Sequence, residues 1–72
     1  MGVSEKTAQP DVLFPKGVGQ PAIRALNGVG YTRFQQLAGV SRSELAALHG
    51  VGPKSLRIIQ QALIDGEFEP MR

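Results

Sequence analysis

The chain has 72 residues, no cysteine, one histidine and a formal net charge of +2. A length of that order makes one small domain that buries only about 60% of the unfolded chain's surface, which leaves no room for a long catalytic cleft. Without cysteine there is no disulfide framework, thiolate nucleophile or cysteine-based zinc site, and one histidine builds no metal cluster. No apolar run approaches the roughly 18 residues that cross a bilayer, and no hydrophobic signal region follows Met1. The expectation is a cytoplasmic protein with no membrane partner and no cofactor.

In chain order, residues 1–14 read as a flexible arm, polar and aperiodic over 1–9 and ending in the apolar patch Val12, Leu13 and Phe14, which Pro15 closes. Gly17-Val18-Gly19 reads as a lead-in turn. A first helix is expected over 20–27, with Pro21 in its first turn and the pair Asn27-Gly28 suited to a left-handed cap. A second is expected over 31–38, carrying Phe34 and Leu37 inward. Ser41-Arg42-Ser43-Glu44 has the form of a capping box, in which Ser41 caps a third helix and Glu44 reaches back to it. That helix ends near His49, whose place in the last turn favours a cation or a carbonyl hydrogen bond. The fourth helix, 53–64, is the longest, with Leu56, Ile59 and Leu63 on its inner face and Lys54, Arg57 and Gln61 outside. Residues 66–72 read as a C-terminal tail in which Phe68 folds back.

These helices arise from a repeat. On an 11-residue period the chain reads GVGQPAIRAL from Gly17, GVGYTRFQQL from Gly28, GVSRSELAAL from Gly39 and GVGPKSLRII from Gly50. Apolar residues stand six positions into each copy (Ile23, Phe34, Leu45, Leu56) and nine positions in (Leu26, Leu37, Leu48, Ile59). Three residues apart, the two positions share one helix face. A Gly-Val pair in every copy breaks any continuous helix, so the period marks short helices joined by tight turns. Helices this short are marginal alone and must hold one another, so truncating one inward residue, as in Leu48→Ala, is expected to cost about 2 to 5 kcal/mol.

The candidate chemistry sits at Gly50-Val51-Gly52-Pro53-Lys54-Ser55-Leu56. Glycine tolerates positive φ, and Pro53 suits the first helical position, where an N–H has no helical partner. The unpaired N–H groups of the turn and of the first helical turn, with the positive end of the helix dipole behind them, form an anion site. Lys54 and Arg57, three apart, stand beside it. Across 16–64 there are six basic residues, Lys16, Arg24, Arg33, Arg42, Lys54 and Arg57, against Glu44 alone, while the other acids lie in the terminal segments. A basic body suits a polyanionic partner, although a surplus of this size also occurs on ordinary solvated surfaces. In the third copy Ser41 replaces the second glycine and its side chain occupies the N–H groups, so that turn is not expected to hold an anion.

Two successive units of helix, Gly-apolar-Gly and helix over residues 15–65 resemble the tandem helix-hairpin-helix family, and the Gly-Pro-Lys-Ser-Leu run with its four short helices is similar to the C-terminal domain of the bacterial RNA polymerase alpha subunit. The resemblance implies an all-α fold, a compact bundle of four short helices forming two helix-hairpin-helix units with SAM-like architecture. It also implies non-sequence-specific binding of duplex DNA, with hairpin amides on phosphates and a basic residue beside them. Carried over by position, the first hairpin is Gly28, Val29, Gly30, Thr32 and Arg33, and the second is Gly50, Val51, Gly52, Lys54 and Ser55, with Arg57 following. The chain departs from the family pattern at Phe34 and Leu56, where a small residue is common four positions after the second glycine. Either the helix pairs are spread wider or the polymerase-like packing applies.

The expected function is therefore binding of nucleic acid, duplex DNA first and RNA second, within or beside a larger protein assembly. The alternative is a small helical protein-interaction module whose glycines are only turns. An enzyme is not expected, because no spacing of His49, the carboxylates and the serines unites a nucleophile, a base and an orienting group.

Overall fold

A computed structural model describes residues 13–72; residues 1–12, including Val12 and the rest of the arm, lie outside the described residues. The regular secondary structure of the described residues is all helical, with no β-strand among them. They form α1 (Gln20–Gly28), a 3₁₀ turn (Phe34–Leu37), α2 (Arg42–Ala46) and α3 (Pro53–Asp65). The expected bundle of four helices is thus corrected to three α-helices and one 3₁₀ turn.

The second helix is lost for a local reason. The side-chain oxygen of Gln36 accepts hydrogen bonds from the main-chain N–H groups of both Thr32 (2.6 Å) and Arg33 (2.9 Å), and the Phe34 N–H donates to the Leu13 carbonyl (2.7 Å). Arg33 is held extended, at φ −140° and ψ 148°. A helix cannot begin before Phe34, and Gly39 at φ +76° closes it after one turn. α2 is shorter than expected as well. Ser41 accepts from the Glu44 N–H at 3.4 Å, the one half of the capping box that forms. His49 lies past the end of α2 and is exposed, so it has no place in a last helical turn.

α1 and α3 end in the same motif. The Tyr31 N–H donates to the Leu26 carbonyl (2.9 Å) and the Gly30 N–H to the Asn27 carbonyl (3.0 Å), the paired bonds of a Schellman cap with Gly30 as its left-handed residue at φ +98°. The cap therefore falls two residues later than the expected Asn27-Gly28 pair, and Gly28 belongs to α1. At the end of α3, Phe68 donates to the Leu63 carbonyl (2.8 Å) and Glu67 to that of Ile64 (3.0 Å), which places the left-handed position on Glu67, at φ +63°.

The core comprises Phe14, Val18, Ala22, Leu26, Leu37, Leu45, Val51, Leu56, Ile59, Leu63 and Met71. Most repeat positions contribute, but not all. Val29 is 51% exposed, and Ile23, Phe34, Val40 and Leu48 are partly buried. The truncation cost expected for Leu48 accordingly belongs to Leu37 or Ile59, which are fully buried.

Neither terminal segment of the described chain stands free. Phe14, placed at the end of the arm by sequence, is buried. Residues 66–72 are not a loose tail. The Phe68 ring meets that of Phe34 edge to face at 6.1 Å, Met71 is buried, and the Gln60 side chain bonds the Met71 N–H (2.7 Å) and carbonyl (3.3 Å). Beyond it, Arg72 donates from its N–H to the Val40 carbonyl (2.9 Å) and accepts from the Arg42 N–H (2.8 Å).

Candidate nucleic-acid interface

At the start of α3, Gly50 at φ +99° turns the chain with its Cα tucked against α1, where a Cβ would stand 2.9 Å from the Pro21 carbonyl oxygen. Val51 points inward and is buried, and its N–H donates to the Leu48 carbonyl (3.1 Å). Gly52 then precedes Pro53 in extended conformation, at φ −111° and ψ 174°, without a side-chain cap. The first helical bond of α3 runs from the Leu56 N–H to the Gly52 carbonyl (3.1 Å). Consequently the N–H groups of Gly52, Lys54 and Ser55 find no acceptor among the described residues. Lys54 and Arg57 are exposed beside them. The helix dipole and the two cations act on the same space.

Ser55 has a different task from the one its position suggested. Its side chain is buried and its hydroxyl donates to the Val18 carbonyl at 2.7 Å, so it is committed to joining α3 to the turn before α1. Within the second hairpin, the exposed charged residues are Lys54 and Arg57, while Gly52 is half-buried.

The first hairpin is built otherwise. Val29 donates to Leu26 (3.2 Å), Gly30 to Asn27, Tyr31 to Leu26, Thr32 and Arg33 to the Gln36 side chain, and Phe34 to Leu13. Every N–H from Val29 to Phe34 is taken. An anion could displace none of these bonds without undoing the cap of α1 or the start of the 3₁₀ turn. Gly28, Val29, Gly30 and Thr32 therefore offer no bare donor, and Arg33 retains only an exposed charge.

The turn at Gly17-Val18-Gly19, which sequence reasoning treated as a lead-in, resembles the second hairpin more closely than the first hairpin does. Gly19, at φ +91°, precedes α1 without a side-chain cap, Pro21 lies in the first turn, and the first bond runs from the Ile23 N–H to the Gly19 carbonyl (3.1 Å). The N–H groups of Gln20 and Ala22 have no acceptor among the described residues. This turn packs directly on α3. Besides the Ser55–Val18 bond and the Gly50–Pro21 approach, a Cβ on Gly17 would stand 3.0 Å from Ile58. The mouths of α1 and α3 are neighbours. One signal in the sequence distinguishes them: copies one and four alone carry a proline within two residues after Gly-Val-Gly, in the first turn of the helix that follows.

Among the described residues, no group of three or more histidine or acidic side chains could hold a metal ion, and no helix is long and apolar enough to cross a membrane. Compared with known proteins, the chain matches no family model, no curated protein and no solved structure.

Proposed function

We propose that this chain binds the sugar-phosphate backbone of duplex DNA without reading its sequence, with α2, the turn at 50–52 and α3 acting as a helix-hairpin-helix unit. The observation that carries the reading is the set of unpartnered N–H groups at Gly52, Lys54 and Ser55, with two exposed cations, Lys54 and Arg57, at the same helix start. Such donors suit a phosphate oxygen, which accepts several N–H bonds at once and gains from the dipole. Phosphate contacts position a protein and carry no sequence information.

The second half of the grip is the start of α1 rather than the hairpin at 28–30. Its free Gln20 and Ala22 amides adjoin the start of α3, and exposed Lys16 and Arg24 flank it in sequence. Two helix starts side by side present positive potential to one strand, whereas the first hairpin has already used its donors.

Titration of short duplex DNA into labelled protein tests this. Amides at 50–55 should shift first, with those at 19–22 following, and the amides of 29–34 should respond weakly. Binding should be weak, with Kd on the order of 10⁻⁴ to 10⁻⁶ M at physiological salt. Single-stranded DNA and structured RNA run in parallel would rank the nucleic-acid classes. Silence of 50–55 toward all three at low salt would overturn the reading in favour of a protein partner.

A further inference from the structure

An open cleft of about 700 Å³ lies between α2, α3 and the returning C-terminal segment. Three guanidinium side chains line it, those of Arg42, Arg57 and Arg72, together with Ser43 and Gln61, and Leu56 contributes to an apolar floor. No Asp or Glu side chain is among its lining residues. Glu44 lines a smaller neighbouring pocket with Arg72 and Glu69 packs on Gly39, so acids border the cleft without lining it. Inside it the arginines are unopposed by a lining acid, which suits an entering anion.

The fold holds this group in place deliberately. Arg72 is fixed by its N–H on the Val40 carbonyl (2.9 Å), and its Nε donates to the Gly39 carbonyl (2.8 Å), leaving the terminal nitrogens of the fork unengaged. The Arg42 N–H donates to the Arg72 main-chain oxygen (2.8 Å), so a backbone bond keeps both residues at the same cleft. Arg57 joins them from α3, one turn beyond Lys54. The cleft thus begins beside the bare amides of α3 and leads away from them.

We infer that the Arg42, Arg57 and Arg72 cleft is a second phosphate-binding site, which takes the nucleic-acid strand onward from the start of α3. The inference rests on the proposed DNA binding and extends it to the surface between α2, α3 and the C-terminal segment. Planar guanidinium forks match phosphate oxygens in pairs, and the apolar floor accommodates the face of a sugar.

The salt dependence of affinity measures it. Each phosphate neutralised contributes about −0.9 to the slope of log K against log salt, so removing Arg42 and Arg72 together should make the wild-type slope shallower by about 1.8. The proteins to compare are the wild type, Arg42→Gln, and Arg42→Gln combined with Arg72→Gln. Arg42→Gln alone removes a side chain that makes no hydrogen bond among the described residues, and should shift the slope by about 0.9 while the fold stays intact. If the wild type fails to bind duplex at low salt, both readings fall. If it binds and neither variant changes the slope, the cleft inference alone falls. Inorganic pyrophosphate provides the second arm, followed by the side-chain N–H signals of Arg42 and Arg72. A response to pyrophosphate with none to duplex would reassign the cleft to small phosphorylated ligands and overturn its place on the DNA path.

Discussion

Ser55→Ala separates a residue that touches the ligand from one that holds the fold. The Ser55 hydroxyl donates to the Val18 carbonyl at 2.7 Å in a buried setting. Removing it leaves that carbonyl without its partner, a loss of about 1 to 3 kcal/mol, of which alanine's better helix propensity returns about 0.5 kcal/mol. The net cost is about 0.5 to 2.5 kcal/mol. With an unfolding entropy near 2.1 cal/mol/K per residue, roughly 0.15 kcal/mol/K for a chain of this length, the melting temperature should fall by about 3 to 17 °C. Circular dichroism at 222 nm, scanned with temperature on wild type and variant, reads this directly. At a temperature where both proteins are folded, the variant should bind duplex DNA as the wild type does. A melting temperature shifted by less than about 2 °C, together with a clear loss of DNA affinity, would show that the hydroxyl serves the phosphate and not the Val18 carbonyl.

The other expectations follow from the same geometry. Lys54→Ala should weaken binding to all duplex sequences alike and reduce the salt slope by about one unit, as measured by fluorescence anisotropy at several salt concentrations. Gly50→Ala should cost more than about 2 kcal/mol in denaturant unfolding, because it adds left-handed strain to a Cβ placed 2.9 Å from the Pro21 carbonyl oxygen. Gly28→Ala, at a residue inside α1 with nothing within 4 Å of its Cβ position, should instead stabilise by about 0.5 to 1 kcal/mol. Glu67→Gly should also stabilise, by about 0.5 to 1 kcal/mol, since it relieves φ +63° at the left-handed position of the α3 cap.

The repeat made much of this fold legible. The spacing of Leu26, Leu37 and Ile59 identified three fully buried side chains, and Pro21 and Pro53 marked the starts of α1 and α3. The open donors at 52–55 were legible for the same reason, because a glycine followed by proline leaves no side chain to cap the helix. Less of the site could be read elsewhere. Gly28-Val29-Gly30 and Gly50-Val51-Gly52 are identical as letters, yet a glutamine six residues after Gly30 closes the first and nothing closes the second. Ser55 reads like a phosphate ligand until Val18, 37 residues earlier, is found at its hydroxyl.

Local chemistry therefore determined which residues could be helical, which glycines could turn, and which side chains must avoid water, since propensity, capping and period act within a few residues of one another. Tertiary structure decided that the start of α1 lies beside that of α3, and that Arg72 joins Arg42 in one cleft. Those outcomes depend on hydrogen bonds between residues about thirty or more positions apart, such as Arg42 to Arg72 and Ser55 to Val18. Such partners are chosen by packing the whole core at once, and no short window of the chain contains both.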